Sequence, residues 1–106
     1  RETRIRRSIL AGLTKDVIKN EYVVTTDARA KEVRKFVDKM ITYGKDGSLV
    51  SRRKALAFLQ NDTVAVNKVF NELAKRYETR NGGYTRLVKL NERKGDDAMQ
   101  IRIELV

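Results

Sequence analysis

Arg80-Asn81-Gly82-Gly83-Tyr84-Thr85-Arg86 is the stretch on which the fold turns. A long helical pattern ends just before it, and an alternating strand pattern begins within it. Paired glycines tolerate positive φ and let a backbone come close to a neighbour. Taken alone, Gly82-Gly83 is a helix C-cap followed by a strand. Arg80, Tyr84 and Arg86 add two guanidinium forks and an aromatic face, with no acid among them. Such a turn gathers groups suited to a phosphate backbone.

Working outward, Tyr84 to Leu90 reads as a strand. Asn91 to Asp97 is a turn-rich loop carrying Arg93, Lys94 and Gly95. Ala98 to Val106 alternates, with Met99, Ile101, Ile103 and Leu105 on one side and Gln100, Arg102 and Glu104 on the other. That is the pattern of a half-buried strand, and the two strands form a hairpin. Upstream, Asn61 or Asp62 caps a helix whose stripe is Val66, Val69, Phe70, Leu73 and Tyr77.

Ser48 starts another helix, through Leu49, Leu56 and Leu59 to about Gln60, with Arg52-Arg53-Lys54 in its early part. Phe58 points away from those leucines. That suits a base-stacking residue, but a core position is the more ordinary reading. Gly44-Lys45-Asp46-Gly47 is read as a helix break. Before it, a helix capped by Thr26 or Asp27 runs to about Tyr43. Ala30, Val33, Val37, Met40, Ile41 and Gly44 share its inner face. Lys31, Lys35 and Lys39 lie opposite, with Arg34 at the flank; alone, such a row is a solvated face.

Glu21 to Thr26 favours extended structure. Thr3 caps a first helix to about Asn20, with Ile5, Ile9, Leu13 and Val17 as its expected buried stripe. Arg4, Arg6 and Arg7 crowd its first turns, where the helix dipole disfavours cations and an external anion would relieve the conflict. The expected architecture is α+β: about four helices packed on a small three-stranded mixed sheet with a C-terminal hairpin. Residues 1–106 form a single domain in this reading.

Composition narrows the chemistry. The chain has 24 Lys and Arg against 14 Asp and Glu, a net charge of +10. A domain so basic is self-repelling alone, and a polyanionic partner relieves it. Without Cys or His, thiolate and imidazole catalysis and the usual zinc sites are excluded. Asp96-Asp97 beside Gly95 reads as turn chemistry rather than a metal site. Gly82-Gly83 fits neither a P-loop nor a dinucleotide fingerprint. No apolar run approaches a membrane span. Neither cofactor, catalysis, small-molecule substrate nor membrane partner is expected. The basic residues fall into three scattered clusters, which suits shape-based contact with a folded RNA better than a single recognition helix.

The Gly-Gly-Tyr-Thr-Arg core at 82–86, Leu87-Val88-Lys89, the Arg93-Lys94-Gly95-Asp96 loop and the terminal Glu104-Leu105-Val106 together resemble a known family. It is the bacterial-type large-subunit ribosomal protein family numbered seventeen. Thr25-Thr26, Ala28 to Arg34, Arg52-Arg53 and Phe70-Asn71-Glu72-Leu73 extend the resemblance, in order, over about the whole chain. The resemblance implies a structural ribosomal protein that braces large-subunit ribosomal RNA near the nascent-chain exit, beside neighbouring ribosomal proteins. It implies a bacterial cytoplasmic ribosome, or alternatively an organellar one. The expected RNA contacts are Arg4, Arg6, Arg7, Lys31, Arg34, Arg52, Arg53, Arg80, Tyr84, Thr85, Arg86, Lys89, Arg93 and Lys94. Two departures stand out. The family opens with a longer basic arm bearing a His-Arg or similar pair; here Arg6 fits the arginine and Ile5 stands at the histidine. Asp27-Ala28 occupies a place where many members carry proline. A non-ribosomal RNA- or DNA-binding module is the alternative reading, and a small carboxylate-dependent enzyme a formal third.

Overall fold

The computed structural model describes residues 2–92 and 99–106. Helix α1 (Glu2–Asn20) leads into strand β1 (Tyr22–Thr26), then α2 (Asp27–Asp46) and α3 (Leu49–Phe58). A fourth helix begins as α4 (Thr63–Lys68), loosens into a π turn (Val69–Leu73) and regains α geometry over Ala74–Arg76. Strands β2 (Thr85–Glu92) and β3 (Met99–Leu105) complete the chain's α+β fold.

The sheet order is β1-β3-β2, and both pairings are antiparallel. The expected hairpin of the last two strands is present, but the sheet is antiparallel rather than mixed. β1 and β2 run in the same direction without touching, because β3 inserts between them. Ile103 sits opposite Val23 on one side and Leu87 on the other. The alternation expected of the last strand is borne out at Ile101, Ile103 and Leu105, which are buried; Met99 is half-buried. A register shift between Lys89 and Glu92 marks a bulge in β2.

Helix α2 is the central element. Its buried face is Ala30, Val33, Val37, Met40, Ile41 and Gly44, as the 3.6-residue period requires. It does not break at Gly44. A Cβ there would lie 2.8 Å from Val69 Cγ1 and 2.9 Å from the Val69 carbonyl oxygen, so Gly44 permits close packing of the fourth helix. Termination falls to Gly47, at φ 72°, whose N–H donates to the Tyr43 carbonyl at 2.9 Å.

Helix α1 buries a different stripe from the one expected. Leu10, Ala11, Thr14, Val17 and Ile18 face the core, while Ile5 is 58% exposed. A strict four-residue repeat drifts by about 40° per step on a 3.6-residue helix. Ile5 and Ile9 therefore rotate away from Val17. Thr14 is tolerated inside because its hydroxyl donates to the Leu10 carbonyl at 2.7 Å. Similarly, α3 buries Ser51 and Ala55, with Leu59 following its end, and leaves Leu49 exposed. The Ser48 hydroxyl caps α3 by accepting from the Ser51 N–H at 3.1 Å. Asp62 does the same for Ala65 at 3.1 Å; these caps satisfy otherwise orphaned donors.

Candidate nucleic-acid interface

The first basic cluster divides. Arg4, Arg6 and Arg7 are all exposed, but Arg6 pairs with Glu32 across the α1–α2 junction. Beside that pair lies a cleft of about 440 Å³ bordered by Ile5, Ile9, Ala28 and Arg29. Arg4 and Arg7 instead point toward the end of α3, where they border a second cleft with Phe58 and Gln60. On α2, Lys31 pairs with Asp27 at 3.4 Å, and Arg34 is exposed.

In the second cluster, Arg52 is a strut of the fold. Its guanidinium donates to Asn67 and lies over the Phe70 ring, 5.2 Å from the centroid. Arg53 and Lys54 are exposed. Arg53 lies one turn before Ala57, on the same side of α3, and Ala57 borders the Arg4–Arg7 cleft. The fold thus brings the helix that carries the second cluster to the first-turn arginines, half the chain away in sequence. None of the ion pairs among the described residues uses Arg4, Arg7, Arg34, Arg53 or Lys54.

The third cluster is reorganised most. Tyr84 and Thr85 are buried, 3% and 4% exposed. The Tyr84 ring packs on Tyr77 with centroids 5.1 Å apart. Its hydroxyl donates to the Arg80 carbonyl at 3.1 Å and accepts from Lys45 Nζ at 3.1 Å. Lys45 also donates to the Arg80 carbonyl. Burial pushes the Tyr84 phenol up, but the Gly82 N–H and Lys45 outweigh it and hold the phenol below its usual value. Desolvation raises the half-buried Asp38 carboxyl above the ordinary range, against smaller lowering influences from the Tyr84 main chain and Arg34. Gly82 and Gly83 do adopt positive φ, 77° and 62°. The turn therefore spends the Arg80 carbonyl, the Tyr84 hydroxyl and its aromatic ring internally. The reading of Tyr84 as an open aromatic face gives way to a core role.

Arg80 stays exposed, with its guanidinium donating to the Gly83 carbonyl at 3.1 Å. Arg86 lies on the outer face of the sheet. It grips Glu104, which is also paired with Arg102 at 2.8 Å. Those contacts, Arg86 first, hold the Glu104 carboxyl below its ordinary range. Lys89 is exposed on β2, whereas Arg93, Lys94 and the Asp96-Asp97 pair lie outside the described residues. Arg29, Lys35, Lys39 and Lys54 are further exposed cations. Lys35, Lys39 and Lys54 stand in the basic rows already read from the sequence, whereas Arg29 does not stand out there. Lys45, near the end of α2, is about 20 Å along the axis from Glu32, at 1.5 Å per residue. The third cluster thus stands apart from the Arg6–Glu32 junction of the first. Among the described residues there is no acidic group arranged to hold a metal, and no helix long and apolar enough to cross a membrane.

Comparison with known proteins gives the family of the chain. The family model for ribosomal protein L17 matches residues 9–106. The large ribosomal subunit protein bL17 of Ligilactobacillus salivarius is 52% identical over 114 residues, covering 95% of this chain and 90% of that protein. The bL17 of Lactococcus lactis subsp. cremoris is 51% identical with the same coverage. That of Streptococcus gordonii is 50% identical over 116 residues, covering 95% and 91%. With the family model spanning nearly the whole chain and half of all positions shared with these relatives, the chain belongs to the ribosomal protein L17 family.

Proposed function

We propose that the chain is a structural constituent of the large subunit of a bacterial-type ribosome, where residues 1–106 act as one RNA-binding domain. The family membership carries this reading, and it makes the protein a structural component rather than an enzyme. The +10 charge supports ribosomal RNA as the main partner. Phosphate neutralisation and shape fit supply the binding. The interface centres on Arg4, Arg7, Arg34, Arg53 and Lys54, with Arg80 and Lys89 as outlying contacts. Lys31, Arg52 and Arg86 contribute after exchanging or keeping their intramolecular partners. Tyr84 and Thr85 support the interface from the core. Neighbouring ribosomal proteins, a position near the nascent-chain exit and a cytoplasmic location follow from the same reading.

The test is assembly. Purified chain is added to large subunits reconstituted without this component, and the particles are washed at high salt. Retention through sedimentation is expected. Stripping by salt, as for a loosely bound nucleic-acid module, would overturn the ribosomal role.

A further inference from the structure

The structure joins two features that the sequence left separate: the arginine-rich first turns of α1 and the aromatic Phe58. They line one cleft of about 280 Å³. That is just below the roughly 300–1,000 Å³ of sites for drug-sized ligands, and suits a single flat ring system. Arg4 and Arg7 stand three residues apart on one helix face. Two like charges there, at the positive end of a helix dipole, are mutually unfavourable until an anion joins them. Phe58 is held in place by stacking on Phe36, with centroids 4.7 Å apart and planes inclined by 20°.

Gln60 closes the cleft. Its oxygen accepts from Lys15 Nζ at 3.0 Å, and its amide nitrogen donates to the Ser8 hydroxyl at 3.3 Å. Those bonds fix which way the amide faces and leave one further N–H donor for a ligand. The site therefore offers cations for a phosphate, an aromatic wall for stacking and a fixed polar edge. Phosphate, ring and hydrogen-bonding edge are the three parts of a nucleotide. A paired base hides its faces in the helical stack, so only an unpaired one can enter.

Resting on the RNA-binding reading above, we propose that the Arg4–Arg7–Phe58–Gln60 cleft takes one unpaired nucleotide of the bound RNA. Arg4 and Arg7 hold its phosphate, and Phe58 stacks on its base.

The full chain is titrated with two probes: random-sequence single-stranded RNA of about ten nucleotides, within the usual span of such sites, and a fully paired RNA duplex of equal length. NMR follows the Phe58 ring. The single strand shifts the Phe58 signals and the duplex does not. Phe58→Leu weakens single-strand binding about ten-fold. Arg7→Gln, an exposed change that spares the core, lowers the log-affinity against log-salt slope by about 0.7. Circular dichroism confirms that both variants fold. A silent Phe58, equal binding of both probes, or wild-type affinity in both variants overturns the cleft while leaving normal subunit assembly intact. Equal shifts with polyglutamate mark a general anion site and also overturn it. Absence of RNA binding together with failed assembly overturns both readings.

Discussion

Arg76 holds Glu21 in a two-pronged grip, its Nη1 and Nη2 donating to Oε1 and Oε2, each at 2.8 Å, across 55 residues of chain. Lys68 joins from the fourth helix at 2.9 Å, and Glu72 shares Arg76 at 2.8 Å. Glu21 occupies the joint between α1 and β1 at φ 75°, a left-handed conformation that a non-glycine residue adopts at a cost. The grip ties this joint to the end of the fourth helix.

That grip makes stability depend on pH. The hydrogen bonds from Arg76, followed by those from Lys68, hold the Glu21 carboxyl down to about 2, from 4.5 when unperturbed. A depressed carboxylate stabilises the fold fully above its unfolded value and loses that contribution as pH falls through the folded one. Urea midpoints of wild type and Glu21→Gln should differ most at pH 6 and converge between pH 4.5 and 2. Equal separation at pH 6 and pH 2 would show that the grip does not stabilise the fold.

Two helix glycines should respond to alanine with opposite signs. Gly44→Ala drives a Cβ into Val69, including its backbone oxygen, and should cost about 1–3 kcal/mol by overpacking. Gly12 lies mid-helix in α1 with nothing within 4 Å of a new Cβ. Gly12→Ala should stabilise by about 0.5–1 kcal/mol through reduced backbone freedom in the unfolded chain. Thermal melts of the two variants check both signs.

Tyr84→Phe separates support from contact. It removes the hydroxyl that accepts from Lys45 and donates to the Arg80 carbonyl, and should cost about 0.5–1.5 kcal/mol of stability. RNA affinity measured well below the melting transition should stay within about two-fold, because the ring remains buried. A large affinity loss with unchanged stability would return Tyr84 to the RNA surface.

Salt dependence tests the electrostatic account. If about six phosphates are neutralised, log affinity against log salt should fall with a slope of about −4 to −5. A titration with a large-subunit RNA fragment measures it; a slope near zero excludes phosphate neutralisation as the driving term.

What the sequence revealed was what is local in it. The six inner positions of α2, the caps at Ser48 and Asp62, and the alternation of Ile101, Ile103 and Leu105 follow from periods of 3.6 and 2 and from capping chemistry. What it concealed depends on distant partners. Gly44 reads as a breaker until Val69 is seen against it. Tyr84 reads as an open ring until Tyr77 and Lys45 enclose it. Arg52 reads as an unpartnered cation until Phe70 and Asn67 are seen to engage it. Conversely, Phe58 and the first-turn arginines were visible separately, but their meeting at one cleft belongs to the tertiary fold.

The central place of β3 sets an order on folding during synthesis. Residues of β1 are made first and those of β2 much later, yet neither strand has a neighbour until 99–105 emerge. The sheet therefore cannot assemble progressively behind the growing end. Until then the early chain has only helical contacts, and two unpaired strands able to join other chains. A net charge of +10 opposes association between such immature chains by mutual repulsion.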